Sequence, residues 1–243
     1  MRKRKLIFAA LLSCCSALVF ADAMPAIVGE AFDLKTQKLL YREYHFLADK
    51  NQAQRVLYKD AEGNTIAEKQ IQFNHYSQPD IEQQNALCGE YIEVKQNVGA
   101  NRLAVAYRPK EDKKIKNKTI EKSAELVIDA GFNSYVVQHW EQLLSGDVIE
   151  FHYLVPSRLR SYAFTLGPTN CDSQQDTSCF LIKPDVWYLN LALDPIQLTY
   201  NNADKRLLRF SGLGNIADER CDYLAVDIHY WYGSEIMARN IPL

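Results

Sequence analysis

The chain has 243 residues, 47% of them hydrophobic, with 28 basic and 30 acidic side chains. Residues 1–23 read as a leader, and without their four basic residues and one acid the balance is 24 against 29, a formal charge of −5. That excess of acid argues against a nucleic-acid partner, whose phosphates need a net basic face, and a chain of about 220 residues without a Pro/Gly/Ser-rich linker is long enough for one large core.

Met1 to Lys5 carry the four positive charges, Leu6 to Phe20 is an apolar run broken only by Ser and Cys, and Ala21-Asp22-Ala23 offers small residues for cleavage after Ala21 or Ala23. This is the layout of a secretory signal peptide, so residues 24–243 are expected to form a single periplasmic domain. Leu11-Leu12-Ser13-Cys14 loosely matches a lipobox, but the residues after Cys14 stay apolar through Phe20 where a lipoprotein would continue as a polar tether. An exported soluble protein is therefore expected over a lipid-anchored one. No later segment approaches the ~20 consecutive apolar residues of a membrane helix.

Most of the mature chain reads as antiparallel strands. Leu39 to Leu47 is rich in aromatic and aliphatic residues, and Arg55 to Lys59 leads through Asp60-Ala61-Glu62-Gly63-Asn64 into Thr65 to Phe73, a hairpin pattern. Tyr91 to Gln96 and Arg102 to Tyr107 repeat it. Lys110 to Lys122 follows with six lysines among acids; it reads as a solvated loop or an edge strand, where lysines guard against edge-to-edge pairing, with contact to anionic lipid as the lesser reading.

From Phe132 to Leu144 the period changes. Apolar residues at 132, 135, 136, 140, 143 and 144 predict one amphipathic helix, with Asp129 as a cap near its start and Ser145-Gly146 as its stop. Val148 to Val155 and Ser161 to Leu166 form another hairpin, turning at Pro156-Ser157-Arg158. Val186 to Leu193 fits helix and strand almost equally, and Ile196 to Tyr200, Leu207 to Phe210 and Tyr223 to Tyr230 are strands. Gly212 and Gly214 point to a bulge or tight turn, since no helix follows that could present its N-terminus to a phosphate. The expected fold is α+β: a strongly curved, mainly antiparallel, half-barrel-like sheet with one main amphipathic helix packed on it.

Four cysteines survive processing. Cys171 and Cys179 flank a short polar loop between apolar runs, so a local disulfide is easy to close in an oxidising compartment and is worth about 2.5 kcal/mol in the chain-entropy model. Cys88 and Cys221 are either paired or buried thiols. No Cys-x-x-Cys pair or neighbouring His suggests a metal, and no nucleophile elbow, zinc-protease motif or phosphate-cradling loop is present. No cofactor and no catalytic residue are therefore expected. Candidate ligand-binding residues are Tyr135, His139 and Trp140 on the helix and Arg158 in the turn. His139 lies on the helix's apolar face, where a polar contact or a base would sit, although a satisfied core His is the commoner case. Trp140 suits core packing or a pocket wall, and Arg158 could clamp an anion or pair with a surface acid.

Several of these stretches carry a resemblance. Leu40-Tyr41-Arg42-Glu43-x-His45, Asp129-Ala130-Gly131-Phe132 leading to His139-Trp140, Pro156-Ser157-Arg158-Leu159 and Phe210-Ser211-Gly212-Leu213-x-Asn215-Ile216 resemble an uncharacterised family of proteobacterial exported proteins. The closing strands also resemble, at the level of fold, the half-barrel sheets of periplasmic lipoprotein carriers, which implies shelter for an apolar ligand. With 14 Tyr and 10 Phe in the chain, the leading expectation is a binding protein for a lipid or other hydrophobic or amphipathic envelope molecule. An interaction or assembly factor for another envelope protein is the alternative, and a hydrolase or transferase built on His139 a third.

Overall fold

The computed structural model describes residues 24–47, 53–96, 101–171, 176–185 and 194–243; the leader and the ambiguous stretch 186–193 lie outside them. Among the described residues fifteen strands form one sheet. In chain order they are β1 (Ile27–Asp33), β2 (Leu39–Leu47), β3 (Ala53–Asp60), β4 (Thr65–Gln72), β5 (Asp80–Asn85), β6 (Tyr91–Gln96), β7 (Arg102–Arg108), β8 (Lys116–Glu121), β9 (Leu126–Val127), β10 (Ile149–Val155), β11 (Arg160–Thr169), β12 (Thr177–Pro184), β13 (Ile196–Asn201), β14 (Leu207–Ala217) and β15 (Tyr223–Tyr232). β1 lies mid-sheet. β2 to β8 run outward in order on one side of it, and β15 back to β9 on the other.

That order dictates a curled sheet. Laid flat, fifteen strands about 4.8 Å apart would hold the edges β8 and β9 about 67 Å from each other, yet the chain passes from Glu121 to Leu126 in five steps that reach at most about 18 Å. The sheet must bend until its edges face one another across a seam, giving a barrel-like shape. Register shifts at Ala31/Phe32, Tyr58/Lys59, Thr199/Tyr200 and Leu213/Ala217 supply local bends, the last at the glycines expected to bulge. All pairings are antiparallel except β9 with β10.

The two wings fill their concave faces differently. On β10 to β13, Phe151, Leu166, Phe180, Ile182, Leu198 and Tyr200 pack against the helical segment. The predicted single helix is present as two pieces, α1 (Gly131–Gln138) and α2 (Trp140–Leu144), broken at His139, whose φ of −97° and ψ of 15° leave the helical range. Asp129 does not cap it. Its own φ is +42°, no side chain bonds the first turn from the N-cap, and its carboxylate accepts from Lys69 and from the N–H of Ala130, the residue ahead of the first turn. Gly131 is required where α1 begins, because a Cβ there would lie 2.3 Å from the Ser77 carbonyl of the β4–β5 turn.

On β2 to β7 the concave face mixes Val56, Tyr58, Ile71, Ile81, Val94 and Val105 with buried Lys69, Gln83 and Asn85. Each polar group is answered from the far wing or its loops. Lys69 Nζ donates to both Asp129 oxygens at 2.8 and 2.7 Å, Gln83 Nε2 to the Asn215 carbonyl at 3.1 Å, and Asn85 Nδ2 to the Ala217 carbonyl at 2.8 Å. Two disulfides are formed: the expected Cys171–Cys179, and Cys88–Cys221, which joins the wings across 133 residues. Such pairs fit an oxidising compartment. No helix among the described residues is long and apolar enough to cross a membrane.

The convex face carries a smaller core. The C-terminal helix α3 (Ser234–Ala238) lays Ile236 on Val28 and Tyr44, with Ile241 beside it, and the Tyr44 hydroxyl donates to the Pro242 carbonyl at 2.6 Å. Sequence periodicity over so short a helix carries no signal.

Candidate functional site

Tyr135, His139 and Trp140 all belong to the helical segment, but packing accounts for the first and third. Tyr135 and Trp140 are 3% and 2% exposed; Trp140 stands edge-on to Phe180 and Tyr200, and Tyr135 tilts on Phe151. His139 is half-buried rather than turned fully into the apolar face. Its ring lies 4.2 Å from that of Tyr135, and Nδ1 donates to the Tyr135 carbonyl at 2.9 Å, which leaves Nε2 as the other ring nitrogen. Arg158 is placed elsewhere. It sits exposed on a 3-10 turn (Pro156–Arg158) that packs against β6 and β7, where its charge acts on the Tyr107 phenol.

A groove of about 260 Å³ on the convex face gathers more polar chemistry. Strand pairing builds its floor, because Thr199, Arg209 and His229 are register partners on β13, β14 and β15 and so project from the same face. Glu235 of α3 and the Trp231 indole form one wall, and the Cys171–Cys179 staple with Thr177 forms the other. Thr199 Oγ1 lies 3.5 Å from Cys179 Sγ.

Charge in the groove is tightly paired. Asp227, 2% exposed, accepts from Arg209 Nε and Nη2 at 2.6 and 2.9 Å and lies 3.3 Å from His229 Nε2. Burial alone would raise its carboxyl, but the His229 and Arg209 contacts win and hold it at about 2. Arg206 reaches Glu235 at 2.7 Å and packs its guanidinium over Tyr232. Gln197, Thr199 and His229 add hydrogen-bonding edges, and Leu208 and Trp231 an apolar one. The arrangement is suited to holding a molecule with a polar end and a nonpolar flank.

The signal for this groove was present in β15, where Asp227, His229 and Trp231 alternate with Val226, Ile228 and Tyr230. What could not be read was which strands would stand beside it. Among the described residues no group of three His, Cys, Asp or Glu has the geometry to hold a metal.

No family model matches the chain, and no curated protein matches it. Among solved structures it is similar to the crystal structure of a β-barrel-like protein of domain of unknown function DUF1849 from Brucella abortus, at 5% identity and a TM-score of 0.41 over 87% of this chain and 97% of that one. A likeness at that level assigns neither fold nor function.

Proposed function

We propose that the protein is a periplasmic binding protein for an amphipathic envelope molecule, and that the convex-face groove holds the polar end of that molecule. The observation that carries this reading is the union, in one groove, of a hydrogen-bonding floor from Gln197, Thr199 and His229 with the apolar flank of Leu208 and Trp231. Its volume falls just below the ~300–1,000 Å³ of whole-ligand pockets, which suits a head group with the rest of the molecule lying along the surface. The concave side is occupied by the protein's own side chains, among them Tyr58, Lys69, Phe151 and Phe180, each under 3% exposed. In this reading Tyr135, His139 and Trp140 hold the second wing together and do not touch the ligand.

Native mass spectrometry of protein purified from the periplasm should show a bound small molecule, and Thr199→Trp, which fills the floor from an exterior position, should release it while the urea unfolding curve stays in place. Protein that carries no adduct, or a Thr199→Trp variant that keeps it, would overturn the reading.

A further inference from the structure

We infer that β8 is a docking edge for an acidic, extended peptide segment of a partner protein. β8 is the free edge of the first wing. Along an edge strand, alternate residues turn both backbone N–H and C=O away from the neighbouring strand, a row of groups ready to pair with another chain. Four of its six residues are cationic or neutral-polar and exposed: Lys116, Asn117, Lys118 and Thr119.

Register places the cations. Lys116 and Lys118 oppose Tyr107 and Val105 on β7, so both project to the concave side, toward the seam. Across the seam stand Arg158 on the 3-10 turn and Arg160 at the start of β11, both exposed. A hollow of about 370 Å³ lies between, lined by Lys118, Thr119, Ile120 and Glu121 on one side and Leu159, Arg160 and Ser161 on the other. None of Lys116, Lys118, Arg158 and Arg160 pairs with a carboxylate among the described residues, whereas Lys69, Arg55, Arg206 and Arg209 all do.

Spacing identifies the occupant. Lys116 and Lys118 are two residues apart on a strand, about 6.6 Å, which matches carboxylates at alternate positions of an added strand and not the single charge of a small anion. Directly opposite pairs of unlike charge stabilise strand pairing, and like pairs oppose it. The same lysines that would repel the β8 edge of a second copy therefore attract an acidic strand, so one feature excludes self-association and selects the partner.

The probe is a fluorescent peptide of about eight residues alternating Glu and Val, the length of an ordinary strand, titrated into the full mature chain and read by anisotropy. It should bind, with affinity falling as salt rises. A peptide of the same length and charge with Pro in place of each Val should not, since Pro lacks the N–H donor for strand pairing. Lys116→Glu combined with Lys118→Glu should weaken binding by at least about tenfold with unchanged circular dichroism and urea midpoint, while Lys116→Arg with Lys118→Arg should restore it. Absence of binding by the Glu/Val peptide, equal binding of the Pro peptide, or binding only to phosphatidylglycerol vesicles would overturn the inference. Thr199→Trp leaves this edge untouched, so a peptide that binds both wild type and that variant separates this surface from the convex groove.

Discussion

The two wings of the sheet solve one problem in opposite ways. β10 to β13 cover their concave face with their own helical segment, an aromatic core of Tyr135, Trp140, Phe151, Phe180 and Tyr200. β2 to β7 have no helix, and instead borrow groups from the other wing through the Lys69–Asp129 pair, the carbonyls of Asn215 and Ala217, and Cys88–Cys221. The second wing is held by burial, which is tolerant of alignment. The first adds, to a buried apolar core of its own, directional bonds whose geometry restricts how the sheet can curl. The polar interior thus specifies the curvature that brings β8 to face the 3-10 turn across the seam.

The disulfides give the largest expected difference between the two kinds of hold. In the chain-entropy model the staple across 133 residues contributes up to about 5 kcal/mol, against about 2.5 kcal/mol for the short one. Cys88→Ser with Cys221→Ser should therefore lower the urea midpoint by roughly twice as much as Cys171→Ser with Cys179→Ser. Equal shifts would mean that the wings stay together without their covalent tie.

Single side chains come next. Lys69→Met should cost about 3–5 kcal/mol because it strands the Asp129 carboxylate, whereas Lys69→Met with Asp129→Leu should recover most of that loss. Trp140→Ala should cost a similar 3–5 kcal/mol, but no second substitution nearby should restore it, since what is lost is buried volume. Urea unfolding of the three variants sharpens the contrast. A Lys69→Met loss that persists in the double variant would place the ion pair on the same footing as apolar packing.

The part of this architecture that was legible follows from sequence proximity. The pairs β3–β4, β6–β7 and β10–β11 announce themselves by alternation around a turn, and the lysine-rich stretch Lys110 to Lys122, legible as either a loop or an edge strand, holds the edge strand β8. β5 did not, because Gln83 and Asn85 point inward and alternation of polarity is lost when the inward residues are polar. The pairing of β1 with β15, the Cys88–Cys221 tie and the Lys69–Asp129 contact join residues far apart in the chain, and no local pattern encodes them. The break at His139 also escaped notice, since the apolar spacing from Phe132 to Leu144 runs through it without a Pro or Gly. The convex groove was half visible: alternation marked the polar face of β15, but its walls come from a disulfide loop and a helix of five residues.

The smallest effect tests whether a wing-to-wing contact can be improved. Glu90, 3% exposed in the β5–β6 turn, accepts on Oε1 from Tyr223 of β15 at 2.5 Å and from Tyr107 of β7 at 3.3 Å, while Oε2 has no partner among the described residues. Burial pushes its carboxyl above the usual range, against the pull of the Tyr223 and Tyr107 hydroxyls, and burial likewise pushes the Tyr107 phenol up to about 12. A raised folded-state pKa means that the native protein holds this proton more firmly than the unfolded chain does. The resulting stabilisation is complete below the unfolded value of about 4.3 and is lost as pH rises through the folded value. Glu90→Gln keeps an oxygen for the two phenols and never ionises, so its stability relative to wild type should climb across that window and level off at neutral pH. Urea unfolding of both proteins from acid to neutral pH measures this directly. A variant that is less stable at neutral pH, with the wild-type pH dependence intact, would show that the ionised Glu90 is a favourable tie between the wings and not a tolerated cost.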